Sequence, residues 1–113
     1  MSIASDLIRG NTEMIILAHL LDGDSYGYKI NKAISQKTDG GFELKEATLY
    51  TAFRRLEEAG CIQSYWGDEN TGARRRYYTI TPQGRLSLQA RIDEWNRAKL
   101  LIDSFIEGVK RDV

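Results

Sequence analysis

The sequence predicts a mainly α chain with one small β-hairpin and a long C-terminal helix. Three observations carry this expectation. Apolar residues recur at i, i+3, i+4, i+7 in the N-terminal half, the period then shortens to two on both sides of a polar, glycine-bearing stretch, and from Leu88 onward apolar residues step by four and three. With 113 residues, 42% hydrophobic and 28% charged, the composition fits one soluble globular domain with an appended element. The expected division is a body over residues 1–81 and a helix over residues 82–113.

Leu7, Met14, Leu17, Ala18 and Leu21 place an amphipathic helix over about Ala4 to Leu21, which Asp22, Gly23 and Asp24 end. Ser25 is the expected cap of a second helix, with Ile30, Ala33 and Ile34 on its apolar side and Lys29, Lys32 and Lys37 on its basic side. Asp39, Gly40 and Gly41 stop it. Leu49, Ala52, Phe53 and Leu56 place a third helix over about Glu46 to Ala59, with Gly60 as its stop. Residues 61–66 and 75–80 alternate as two aromatic-rich strands, joined through Gly67 to Ala73 as a hairpin. Thr81 followed by Pro82 reads as a cap and first turn. Leu88, Ile92, Trp95, Lys99, Ile102, Ile106 and Val109 then form a heptad seam with one charged member. A helix from Pro82 to Val109 spans roughly 42 Å, against a body roughly 30 Å across. Part of the seam must overhang, and the economical partner is a second copy of the chain. Leu88, Ile92, Trp95, Ile102, Ile106 and Val109 are the expected dimer contacts.

The same residues exclude several kinds of function. Cys61 and His19 are each the single residue of their type, so neither an internal disulfide nor a Cys/His zinc cluster can form. There is no phosphate-binding glycine loop with its lysine and no nucleophile elbow, so no catalytic residue, metal or cofactor is expected. Cys61, at a helix-to-strand junction, reads as a small buried residue, and His19 as a partly buried structural one. The longest apolar run, Met14 to Ala18, is far too short to span a membrane, and the expected location is the cytoplasm.

Three helices followed by a two-stranded hairpin is the order of a winged helix-turn-helix, whose third helix enters a DNA major groove while the hairpin wing lies along the backbone. Opposite the apolar stripe of that helix lie Thr51 and Arg54, with Thr48 and Arg55 to one side and Tyr50 to the other. Arginines reach phosphates or guanine edges, threonines reach phosphates or a thymine methyl, and Lys45 stands near a helix N-terminus that favours an anion. Arg74, Arg75 and Arg76 open the second strand, and three adjacent cations are readily explained by an anion outside. A solvated helix face and a charged strand edge are the plainer readings of the same residues.

The stretch from Glu46 to Glu57 (EATLYTAFRRLE), with Ser64-Tyr65-Trp66-Gly67-Asp68, Gly72-Ala73-Arg74-Arg75-Arg76-Tyr77-Tyr78, Thr81 and Ser25-Tyr26-Gly27-Tyr28, resembles the PadR family of bacterial transcriptional regulators. The match runs collinearly from about Leu7 to Ile106, and the single C-terminal helix resembles the compact members similar to the lactococcal multidrug-binding repressor. The resemblance implies a homodimeric repressor on a palindromic operator, contacted by Lys45, Thr48, Tyr50, Thr51 and Arg54 and by Arg74 and Arg75 of the wing. It also implies a pore between protomers in which Trp95 and its mate sandwich a planar aromatic effector, with Leu7, Met14, Ala18, Leu88, Arg91, Ile92 and Lys99 as neighbours. Trp95 packing the dimer without a ligand is the alternative. Lys99 stands where the multidrug relative has an acid and Arg91 where it has a small residue, so cationic ligands do not carry over. Glu13 offsets one of these charges if it faces inward. A reading of another class is a dimeric ligand-sensing or protein-interaction module that kept the fold without reading DNA.

The charge total conceals a distribution. Sixteen cations balance sixteen acids, yet residues 1–43 hold four cations and six acids, and residues 61–80 three and two. Such a balance limits non-specific polyanion binding and leaves recognition to a few placed contacts.

Overall fold

The computed structural model describes residues 3–67 and 74–112, so all of the expected hairpin tip but Gly67 lies outside the described residues. Among the described residues five helices and two strands follow one another: α1 (Ile3–Gly10), α2 (Thr12–Leu20), α3 (Gly27–Lys37), α4 (Glu46–Glu58), β1 (Ile62–Trp66), β2 (Arg76–Ile80) and α5 (Pro82–Asp112). The strands form one antiparallel pair in the register Ile62 to Ile80 and Trp66 to Arg76.

The single helix expected over Ala4 to Leu21 is two. Asn11 departs from helical geometry at φ −116°, ψ 24°, its side-chain amide donates to the Leu7 carbonyl, and the Thr12 hydroxyl donates to that of Arg9. Gly10 holds the helix weakly, and Asn and Thr side chains offer carbonyls a local alternative to the next turn. Ser25 does not cap α3; Tyr26 occupies that position with extended backbone. Ser25 is instead fully buried, bridged by backbone hydrogen bonds to Tyr78 and in hydrogen-bonding contact with His19 Nε2 at 3.1 Å.

The core gathers Ile16, Leu17 and Leu20 of α2, Ile30 of α3, and Leu49, Phe53 and Leu56 of α4 against Ile62 and Tyr78 of the hairpin. Phe53 stacks on Tyr78 with ring centroids 3.9 Å apart. Cys61 is buried beside them, as expected. Between α3 and α4, Asn31 donates to the Leu44 carbonyl at 2.8 Å and accepts its N–H at 2.9 Å, so one side chain satisfies both polar groups of a buried backbone unit and fixes where α4 begins. Lys45 is the N-cap residue of α4, and Gly60, at φ +75°, follows its C-cap Ala59.

The hinge between body and long helix is tightly tied. The Thr81 hydroxyl donates to the Gly60 carbonyl at 2.6 Å and accepts the Gly84 N–H at 3.0 Å, the expected cap. Leu88 is 2% exposed. It belongs to the protomer's own core, which corrects its assignment to the dimer seam and the ligand pore: heptad phase alone does not separate a core position from a seam position where a helix still lies on its body. Beyond Ala98 the helix leaves the body, giving overall extents of 62 × 31 × 22 Å. No described helix is long and apolar enough to cross a membrane.

Candidate nucleic-acid interface

The stripe Leu49, Ala52, Phe53, Leu56 is buried, which turns Arg54 outward. Arg54 is exposed and pairs loosely with Glu58 at 3.8 Å. Tyr50 is half-exposed, its ring edge-on to Phe53 at 5.7 Å. Thr48, Thr51 and Arg55 line a cleft of about 440 Å³ whose other walls are Arg9 of α1, Thr12 and Glu13 of α2, and Arg91 of α5. Thr48 and Thr51 are half-buried there and Arg55 is exposed. Arg91 does not add a bare cation: it binds Glu13 at 3.2 Å and Ser87 at 3.2 Å, so Glu13 does face it.

The three wing arginines part company. Arg76 bonds Ser64 at 2.8 Å and reaches Glu57 at 3.5 Å, while Ser64 donates to Glu57 at 2.9 Å. Its anion is therefore internal, which corrects the single outside anion expected for all three. Arg74 lies over Trp66 at 5.7 Å and Arg75 over Tyr26 at 4.7 Å. Stacking on a ring holds a guanidinium in place while leaving its N–H edge open to a phosphate. Charge sorting on α4 was visible in the sequence; the ring beneath each arginine was not, because Tyr26 stands far from Arg75 along the chain.

Among the residues expected around an aromatic ligand, Met14, Arg91 and Trp95 share a cleft of about 340 Å³ with Asn11, Glu94 and Ala98. Ala18 faces a different groove, between α2 and α3, beside His19, Ile30 and Lys37. Leu7 and Lys99 are exposed and Ile92 packs against the core. On the overhang Leu101, Ile102, Phe105, Ile106 and Val109 are all exposed and fall within one arc of about 140° at 100° per residue. Leu101 and Phe105 were missed because a strict four-three step passes over them.

Comparison with known proteins bears on the fold and the family. Residues 16–90 match the model of the transcriptional regulator PadR-like family. A transcriptional regulator from Clostridium thermocellum is 49% identical, with a TM-score of 0.81 over 90% of this chain and 99% of its own. A PadR family transcription regulator from Clostridium difficile is 34% identical, with a TM-score of 0.72 over 85% of this chain and 98% of its own. Bacillus subtilis PadR, solved in complex with operator DNA, shares the fold at 22% identity and a TM-score of 0.64 over 72% of this chain and 46% of its own. With its winged helix-turn-helix, its long C-terminal helix and a family match over most of its length, the chain belongs to the PadR-like family of transcriptional regulators, which are not enzymes.

Proposed function

We propose that the protein is a homodimeric repressor that reads a palindromic operator with α4 and steadies itself on the backbone with its wing. The observation that carries this reading is the outward Arg54, centred on a helix whose opposite face is the core. In this reading Arg54 and Thr51 meet base edges, Tyr50, Lys45, Thr48 and Arg55 meet phosphates, and Arg74 and Arg75 extend the footprint along the backbone. The apolar arc on the overhang of α5 supports pairing with a second copy, and twofold symmetry then sets two half-sites about one helical turn apart. An operator duplex, selected by the protein from a random-sequence pool, tests this at fixed salt. Arg54→Ala and Arg74→Ala are expected to weaken binding while the dimer persists; wild-type affinity in both variants refutes the surface.

Release by a planar aromatic effector is the finer part of the proposal. The half-buried Trp95 beside its cleft supports it, since two such clefts brought together by symmetry make a slot between indole faces. Such a ligand acts only if it prefers the dimer geometry that misplaces the recognition helices. Fluorescence quenching by planar aromatics that disappears in Trp95→Ala supports the pore; quenching that persists there belongs to Trp66.

A further inference from the structure

The wing is fastened to the body at two carboxylates, Glu57 of α4 and, in the turn after α2, Asp24. Gly23, at φ +139°, turns the chain after α2 through backbone geometry that a side chain resists. Two residues on, Ser25 exchanges backbone hydrogen bonds with Tyr78 at 3.2 and 2.8 Å. Between them Asp24 accepts the Tyr65 hydroxyl at 2.5 Å. Tyr65 stands on β1 and Tyr78 on β2, so the Asp24 carboxylate and the Ser25 backbone together tie both strands of the hairpin to the turn after α2.

A ring stack leads from this clamp to the wing arginine. Tyr65 stacks on Tyr77 at 5.7 Å and 15°, Tyr77 meets the edge of Tyr26 at 5.3 Å, and the Arg75 guanidinium rests over Tyr26 at 4.7 Å. Near a DNA backbone an exposed acid is an electrostatic cost. Asp24 is an exposed acid, and hydrogen bonding, from Tyr65 first and Thr79 second, holds its carboxyl below the usual range.

We infer that Asp24 is a positioning residue for the wing: without touching DNA, it clamps β1 through Tyr65, sets the Tyr65–Tyr77–Tyr26 stack, and so presents Arg75 to a backbone phosphate. The inference rests on the proposed role of Arg75 as a phosphate contact. Electrostatics and positioning predict opposite signs for the loss of Asp24. Removing a negative charge by itself tightens binding to a polyanion, whereas losing the clamp weakens it.

The test titrates wild type, Asp24→Ala, Asp24→Asn, Tyr65→Phe, Arg75→Gln and the double variant Asp24→Ala/Arg75→Gln against a duplex selected by the wild-type protein from a random-sequence pool, at several salt concentrations. Asp24→Ala is expected to weaken binding roughly fivefold, the change carried by about one net hydrogen bond. It should also lower the slope of log affinity against log salt by about one, as Arg75→Gln does, a change that partial unfolding does not produce. Asp24→Asn, which keeps an acceptor, should recover most of the affinity, and the double variant should bind no worse than Arg75→Gln alone. If Asp24→Ala fails to fold, Tyr65→Phe, which keeps every ring, decides by the same criteria. Unchanged or tighter binding on loss of the clamp, or additive losses in the double variant, overturns the positioning role while leaving the phosphate contact standing whenever Arg75→Gln weakens binding. Wild-type affinity in Arg75→Gln overturns both.

Discussion

Replacing Ile102 measures whether the overhang of α5 is a dimer surface. Ile102 is 60% exposed in the protomer and lies near the middle of the apolar arc, within about 20° of Trp95 in helical projection. Fully burying an isoleucine side chain is worth about 1.5–3 kcal/mol. The exposed fraction leaves about 1–2 kcal/mol to be gained per protomer, and symmetry doubles it to about 2–4 kcal/mol per dimer. Ile102→Ala forfeits most of that, raising the dimer dissociation constant by about 10- to 10³-fold. Ile102→Asp adds two carboxylates facing each other across a dry seam and should leave only monomer at micromolar concentration. Sedimentation equilibrium reads both, with the far-ultraviolet spectrum as a control, because Ile102 lies beyond the body and its loss removes nothing from the core. A dimer as strong as wild type in Ile102→Asp refutes the seam.

Three further outcomes follow from particular contacts. A Cβ on Gly84 would overlap the Cys61 carbonyl oxygen, so Gly84→Ala should destabilise by about 3 kcal/mol or more, read as a lowered denaturant midpoint with an unchanged slope. Glu58→Gln removes the partner of Arg54 and an acid from the outward side of α4; operator affinity should rise about two- to fivefold, and a fall would show that the pair orients Arg54 for binding. Burial, reinforced by Lys29, holds His19 below its ordinary value of 6.5. The unfolded chain therefore takes up this proton first. The contribution to stability is whole above pH 6.5 and is lost as pH falls through the lowered folded value, so thermal midpoints measured at pH 7.5 and 5.5 should differ less in His19→Gln than in wild type.

Legibility of the fold in the sequence followed the range of the interactions. Helix α4 was readable because its period, its stop at Gly60 and its burial are all local and agree. The break at Asn11 was hidden because Leu7 and Met14 keep heptad phase across it: the apolar repeat survives while the backbone does not. Ser25 misled because its residue type suits a cap, yet the pairing with Tyr78, far along the chain, won. Leu88 shares phase with the seam but lies where the helix still touches its body. For the candidate site, the arginines were legible and their partners were not. Glu57, Trp66 and Tyr26 are brought to Arg76, Arg74 and Arg75 only by the strand register and by the packing of the hairpin on α2, on α4 and on the residue that precedes α3.

The lashing of α5 at Thr81 and Gly84 gives the molecule a lever. Thirty-one residues of continuous helix extend about 46 Å, and with one end tied to the junction of α4 and β1 a tilt of about 5° carries the far end about 4 Å. In the proposed dimer, a modest rearrangement where two such arms meet would swing each body by angstroms. DNA would allow the two recognition helices one separation, so such a dimer would be put out of register by a change too small to disturb either core.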